Sequence, residues 1–178
     1  IFKKNNITPI LNSLEELKKL NKSKYKNNLK IGLQVETGLN RLGINKKNLL
    51  FNKTKELKIE ILISHLASSD ELRNNYNKKQ NEKFQSYFNL FKKIKYKSLV
   101  SSMGILHGKD FHYDVIRPGI SLYGGHFNTK LKNIIKPVIT LKAKVLQIKE
   151  INKDEFIGYN QTFKTSKKIK IAILGIGY

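Results

Sequence analysis

The apolar residues of this chain fall into short runs, with segments of helical spacing between them. Ile7 to Leu11 is one such run and predicts a strand. Ser13-Leu14-Glu15-Glu16 has the form of a capping box, and Leu14, Leu17 and Leu20 give the following helix its apolar stripe. Asn27-Asn28 breaks that pattern. Lys30 to Glu36 predicts a second strand and Thr37 to Gly43 a glycine-bounded loop. Asn45 can cap a helix running to about Leu57, with Leu49, Leu50 and Leu57 inward. Ile59 to His65 is almost continuously apolar, as in a parallel strand buried on both faces. Phe84, Tyr87, Phe88, Phe91 and Ile94 recur at helical spacing and predict the buried stripe of a long helix. Lys97 to Ser102 then predicts a fourth strand and Tyr113 to Arg117 a fifth.

Strands alternating with helices predict an α/β fold with a parallel sheet. Polar residues stand just past the expected strand ends: Thr37 and Arg41, His65, Ser102, Arg117. In a (β/α)8 barrel those positions face the catalytic mouth. About five strands cannot close such a barrel, so residues 1–128 are expected to be its C-terminal part, with earlier strands upstream. The pattern changes after about Phe127. Residues 129–136 read as a linker, and Pro137 to Ile148 alternates apolar and polar in places, as a half-exposed strand does. Asn152-Lys153-Asp154 reads as a turn, and Glu155 to Tyr159 and Lys168 to Leu174 as further strands. Residues 137–178 are thus expected to begin a mainly β domain.

Composition narrows the function classes. The formal charge of +22 over 178 residues suggests a nucleic-acid partner, but the lysines are spread along the whole chain among Asn and Ile. Arginine occurs only at Arg41, Arg73 and Arg117, so no nucleic-acid partner is expected. Cysteine is absent, which excludes disulfides, thiolate metal sites and cysteine nucleophiles here. No apolar run approaches a membrane span, and no membrane partner is expected. His107, Asp110, His112 and Asp114 lie close in sequence but lack a ligand spacing, so no metal is expected. The chain starts at Ile1 and stops just past the run Ile169 to Gly175, so both ends read as cut.

The stretch from Asp114 to Gly125 carries the most chemistry. An apolar run ends in Arg117, turns at Pro118-Gly119 and continues through Ile120 to a Gly-Gly stop. A guanidinium presents a rigid fork of donors, and the N–H groups of Gly119 and Ile120 suit phosphate oxygens if a helix starts there.

Several motifs occur in order: Val35 to Gly43, His65 to Glu71, Val115 to Gly125, Leu141 to Val145, Ile157 to Phe163, and Gly175 to Tyr178. Together they resemble bacterial alanine racemase, a family dependent on pyridoxal 5'-phosphate (PLP). The resemblance covers nearly the whole chain. It implies interconversion of L- and D-alanine for peptidoglycan by a lysine and a tyrosine on opposite faces of the substrate. It also implies a cytoplasmic homodimer whose partner subunit supplies the tyrosine.

By this resemblance, Tyr159 is the catalytic tyrosine and Arg117 faces the PLP ring nitrogen. His65 stands next to that arginine, and Ser102, Gly119 and Ile120 hold the phosphate. Arg41 lies near the phenolic oxygen and the substrate carboxylate, and Tyr178 lines the substrate entry. Ser101 stands where the family usually has Asn. Gln34 replaces a lysine that many members carbamylate, and it can still hydrogen-bond Arg41 without the negative charge. The PLP-linking lysine would lie upstream of Ile1, so the chain alone is expected to be inactive. A serine or broad-specificity racemase of the same fold is one alternative. A non-enzymatic PLP-binding barrel protein is another, disfavoured because such proteins lack the second domain.

Overall fold

A computed structural model describes residues 1–51, 57–126, 131 and 134–177. It divides into two compact units, Ile1–Val138 and Ile139–Tyr178. In the first unit, strands β1 (Ile10–Leu11), β2 (Ile31–Gln34), β3 (Ile59–Ile63) and β4 (Ile94–Ser98) pair in parallel in the order β1-β2-β3-β4. Helices α1 (Leu14–Lys22), α2 (Lys46–Phe51) and α3 (Asn75–Gln85) occupy the successive crossovers.

Local chemistry sets the helix starts. The Ser13 hydroxyl accepts the Glu16 N–H, and the Glu16 carboxylate accepts the Ser13 N–H, so the expected capping box closes. Such a cap is worth about 1 kcal/mol. Acidic Glu15 and Glu16 in the first turn and basic Lys19 and Lys22 in the last complement the helix dipole. The helix ends at Lys22, earlier than the Asn27-Asn28 break, because Ser23 turns extended. The Asn45 side chain accepts the Asn48 N–H, so the expected cap of α2 is present. Leu49 and Leu57 are buried, whereas Leu50 faces water. The stretch between Phe51 and Leu57, over which α2 was expected to run, lies outside the described residues.

The core joins Leu17 and Leu20 of α1 to Ile31, Leu33, Ile59 and Leu62 of the sheet and to Phe84, Tyr87 and Leu99. Fully burying each such side chain stabilises by roughly 1.5–3 kcal/mol. Gly32 lets β1 come close, since a Cβ there would sit 2.1 Å from Cδ1 of Ile10.

Two sequence expectations require correction. The aromatic stripe is not one helix. α3 stops at Gln85, Phe88–Leu90 forms a separate tight turn, and Ile94 already pairs with Ile59 in the sheet. A turn can drop residues into the same core as a helix, so Phe84 and Tyr87 are both fully buried without sharing an element. The fourth strand therefore runs Ile94–Ser98 rather than Lys97 to Ser102.

The fifth strand shrinks to one parallel bridge between Ser101 and Arg117. Side chains take the groups a ladder would use: Asp114 Oδ2 accepts the Lys97 N–H at 2.8 Å, and Ser98 Oγ donates to the Val115 carbonyl at 2.6 Å. Tyr113 enters with a positive φ of 50°, and Pro118 follows Arg117 without an N–H.

The second unit pairs β5 (Val145–Ile151) with β8 (Ile169–Leu174) and β6 (Phe156–Ile157) with β7 (Phe163–Lys164), both antiparallel. Pairing begins at Val145 rather than Pro137. The strand expected over Glu155 to Tyr159 is cut short by Gly158, whose φ is +80°. Buried Thr165 binds the turn before β6, accepting the Glu155 N–H at 3.0 Å and donating to the Asn152 carbonyl at 2.6 Å.

Candidate functional site

The C-terminal ends of β3 and β4 and the bridge at Ser101 bring Arg117, His65 and Ser102 together. The Arg117 N–H bonds the Val100 carbonyl at 3.0 Å, which anchors the base of the side chain. Its guanidinium is half-buried. Nη1 donates to Ser98 Oγ, and Nη2 donates to the Ser64 carbonyl at 2.6 Å. Nη2 also lies 3.4 Å from Nδ1 of His65. Ser98 spends its own proton on Val115, so its lone pair is free for the guanidinium. Burial holds Arg117 below the ordinary guanidinium value. The charge persists, because that ordinary value is so high. Among the described residues it forms no ion pair; Asp114, three positions away, faces Lys97 instead.

His65 is half-buried. Burial lowers its pKa first, followed by the positive charges of Arg117 and Arg41. Exposed Arg41 is thus near enough to act on the imidazole through its field. Its loop is capped by Glu36, whose carboxylate accepts the N–H groups of Gly38 and Asn40. Gln34 does not bond the Arg41 guanidinium; its amide donates to the Leu42 carbonyl at 3.3 Å, one residue further on.

Beyond Arg117 the chain makes a short helical turn, Ile120–Tyr123. The Ser102 hydroxyl accepts the N–H groups of Gly119 at 2.8 Å and Ser121 at 3.2 Å. The Gly119 N–H is therefore already engaged by Ser102, contrary to the expectation that it stands free. A hollow of about 280 Å³ opens here, lined by Ser69, Asp70, Ser102, Arg117, Gly119 and Ile120 among others.

The donor set suits a phosphorylated, weakly basic ring. Among the described residues Ser121 Oγ is buried without a hydrogen-bond partner, the hydrogen bonds of the Arg117 cation go to neutral acceptors although Asp70 shares the lining, and a Cβ on Gly119 would meet nothing within 4 Å. Arg117, His65, Ser102, Gly119 and Ile120 thus converge. Tyr159 lies in the second unit, where it starts a tight turn and is 86% exposed. Tyr178 lies outside the described residues. His107 and His112 turn to backbone carbonyls, of Ser69 and Ile105 respectively.

Sequence reading missed Ser64 and Ser98, which hold Arg117, and Gln80, which is fully buried on α3. Asn77, Gln80, Asn81 and Phe84 share one helical face, so the amides continue the apolar stripe backwards. Amides on a buried face were the available signal.

A parallel α/β unit with a polar hollow at its strand ends, followed by an antiparallel β unit, defines a two-part α/β class. Family models place it more closely. The alanine racemase N-terminal domain matches residues 1–126, and the alanine racemase C-terminal domain matches residues 138–178. The chain belongs to the alanine racemase family.

A curated relative from Rickettsia africae, named alanine racemase, is 40% identical over 97% of this chain and 49% of its own length. One from Mesorhizobium japonicum, named a biosynthetic alanine racemase, is 30% identical over 99% of this chain and 45% of its own length. The chain thus spans about half the length of the curated relatives it matches. Among solved structures, the alanine racemase of Bartonella henselae, described with covalently bound PLP, superposes with TM-score 0.76 at 32% identity, over 99% of this chain and 51% of that one. The biosynthetic enzyme of Pseudomonas aeruginosa gives TM-score 0.78 at 25% identity, over 95% and 49%. These likenesses agree with the expected fold class, a barrel segment followed by a β domain.

Proposed function

We propose that this chain contributes to a PLP-dependent alanine racemase, with residues 1–128 as the cofactor-binding unit, 129–136 as linker and 137–178 as the unit that delivers Tyr159. The observation that carries this reading is Arg117: a half-buried cation that pairs with no carboxylate among the described residues, in the lining of a hollow it shares with Ser102. When bound, PLP supplies an electron-withdrawing ring that makes the Cα proton of an amino acid labile.

The residues of the chain divide the remaining work. Arg117 would hold the ring nitrogen by a donated hydrogen bond without giving up its proton, which would keep the bound ring a weak electron sink and disfavour transamination. The Ser102 hydroxyl and the Ile120 N–H hold the phosphate, Gly119 leaves room for it because it carries no side chain there, and Arg41 orients the substrate carboxylate. Tyr159 Oη, from a second copy of the chain in a homodimer, moves the proton on one face of the substrate. The product is D-alanine for peptidoglycan, made in the cytoplasm. Among the described residues no helix is long and apolar enough to cross a membrane.

The test is Tyr159→Phe in the natural full-length protein. Proton removal from L-alanine should fall at least about 100-fold, while PLP affinity stays within about twofold. Equal loss of both would overturn the role of Tyr159. Parallel assays with serine and lysine decide the substrate, and faster turnover of either would replace alanine.

A further inference from the structure

Gln80 lies on α3, is 0% exposed, and spends its whole amide on the ends of two strands. Its Oε1 accepts the Ala67 N–H at 2.8 Å. Its Nε2 donates to the His65 carbonyl at 3.2 Å and to Thr37 Oγ1 at 3.3 Å. Only one amide orientation satisfies all three, because Ala67 needs an acceptor and His65 a donor.

The protons can be followed further. Ser64 Oγ donates to the Val35 carbonyl at 2.9 Å, so the 2.7 Å contact between Thr37 and Ser64 must use the Thr37 proton. A directed series therefore runs from Gln80 to Thr37 to Ser64, and the Ser64 carbonyl is the one that receives Arg117. A leucine would fill this buried position at lower desolvation cost, so the amide is explained by its partners and not by packing.

We propose that Gln80 is a positioning residue for the site: it clasps the turn after β3 to the end of β2, so that His65 and the Ser64 carbonyl meet Arg117 in register. This deepens the racemase reading and rests on it for its effect on turnover. The clasp itself does not depend on the cofactor.

The experiment uses the natural full-length protein with Gln80→Met, which keeps the volume and removes all three bonds, and Gln80→Glu, which turns a carboxylate on the His65 carbonyl. Thr37→Val serves as a milder cut in the same series, should the Gln80 variants fail to fold. Leu20→Ala, in α1, lowers stability away from the site. The first readout is the NMR titration of the His65 imidazole without cofactor. Arg117 and Arg41 are the charged groups acting on it.

Gln80→Met should move that titration upward, towards an ordinary histidine, and Thr37→Val should move it less in the same direction. Leu20→Ala should leave it in place. The second readout is alanine racemisation: kcat should fall about tenfold or more in both Gln80 variants, with KM within about twofold. An unmoved His65 titration, or kinetic losses no larger than those of Leu20→Ala, would overturn the proposal. A shifted titration in a protein that neither binds PLP nor racemises alanine would uphold the clasp and defeat the racemase reading instead.

Discussion

Nη2 of Arg117 stands 3.4 Å from Nδ1 of His65, with no carboxylate paired to the guanidinium among the described residues. A guanidinium can only donate, so Nδ1 is the acceptor and the imidazole carries its proton on Nε2. His65 is therefore a neutral spacer beside a cation. The arrangement leaves the positive charge available to whatever enters the hollow.

That neutrality has a pH signature. The folded pKa of His65 lies below 6.5, whereas the unfolded chain takes up the proton near the ordinary value. Between the two, the unfolded state binds more protons, so stability falls as pH drops through this window and is unaffected by this group above it. Denaturant melts from about pH 7.5 to pH 5 should show a slope that His65→Gln flattens. The same slope in both proteins would count against a neutral His65.

Ser102 ties the turn at Gly119 and Ser121 and floors the hollow. Ser102→Ala should weaken PLP about tenfold, the worth of a charge-assisted hydrogen bond. Pyridoxal, which lacks the phosphate, should lose at most about twofold. Absorbance titrations with the two ligands separate these cases. Equal losses would move the phosphate elsewhere.

Tyr87 links the aromatic core to the Arg41 loop, because its hydroxyl donates to the Glu36 carbonyl at 2.8 Å. Burial is the main reason its pKa is pushed up to about 12. Tyr87→Phe should cost about 1–2 kcal/mol in chemical denaturation. It should also remove one late-titrating tyrosine from the alkaline absorbance curve. A missing tyrosine in the ordinary range near pH 10 would show instead that Tyr87 is wet.

Gly43 closes the Arg41 loop at φ +124°, and a Cβ there would lie 2.8 Å from the backbone carbon of Val35. Gly43→Ala should destabilise by about 1–3 kcal/mol. It should also raise KM for the amino acid more than it weakens PLP, if Arg41 has the substrate-side role proposed for it. Thermal melts and steady-state kinetics check the two halves separately.

Much of this was legible in the sequence. The capping box at Ser13 and a parallel strand from Ile59 find their counterparts in the structure, although only Ile59 and Leu62 of that strand are buried and Glu60, Ile61 and Ile63 are half-buried. The break after Phe84 was not legible, because a turn and a helix can present Phe84 and Tyr87 to the same core. The loss of the fifth strand was hidden for a different reason: Asp114 and Ser98 compete with the backbone through side-chain bonds that no hydrophobic pattern records. At the site, the motif residues Arg117, Ser102 and Gly119 could be named in advance. Their supports, Ser64, Ser98 and Gln80, are small or amide side chains whose role exists only once three elements meet.

A crystal structure of the natural full-length protein grown with PLP tests the central claim most directly. The phosphate should sit within about 3 Å of the Ser102 hydroxyl and the Ile120 N–H, with the ring nitrogen facing Arg117. A cofactor bound at any other place, or an Arg117 guanidinium turned to a carboxylate, would contradict it.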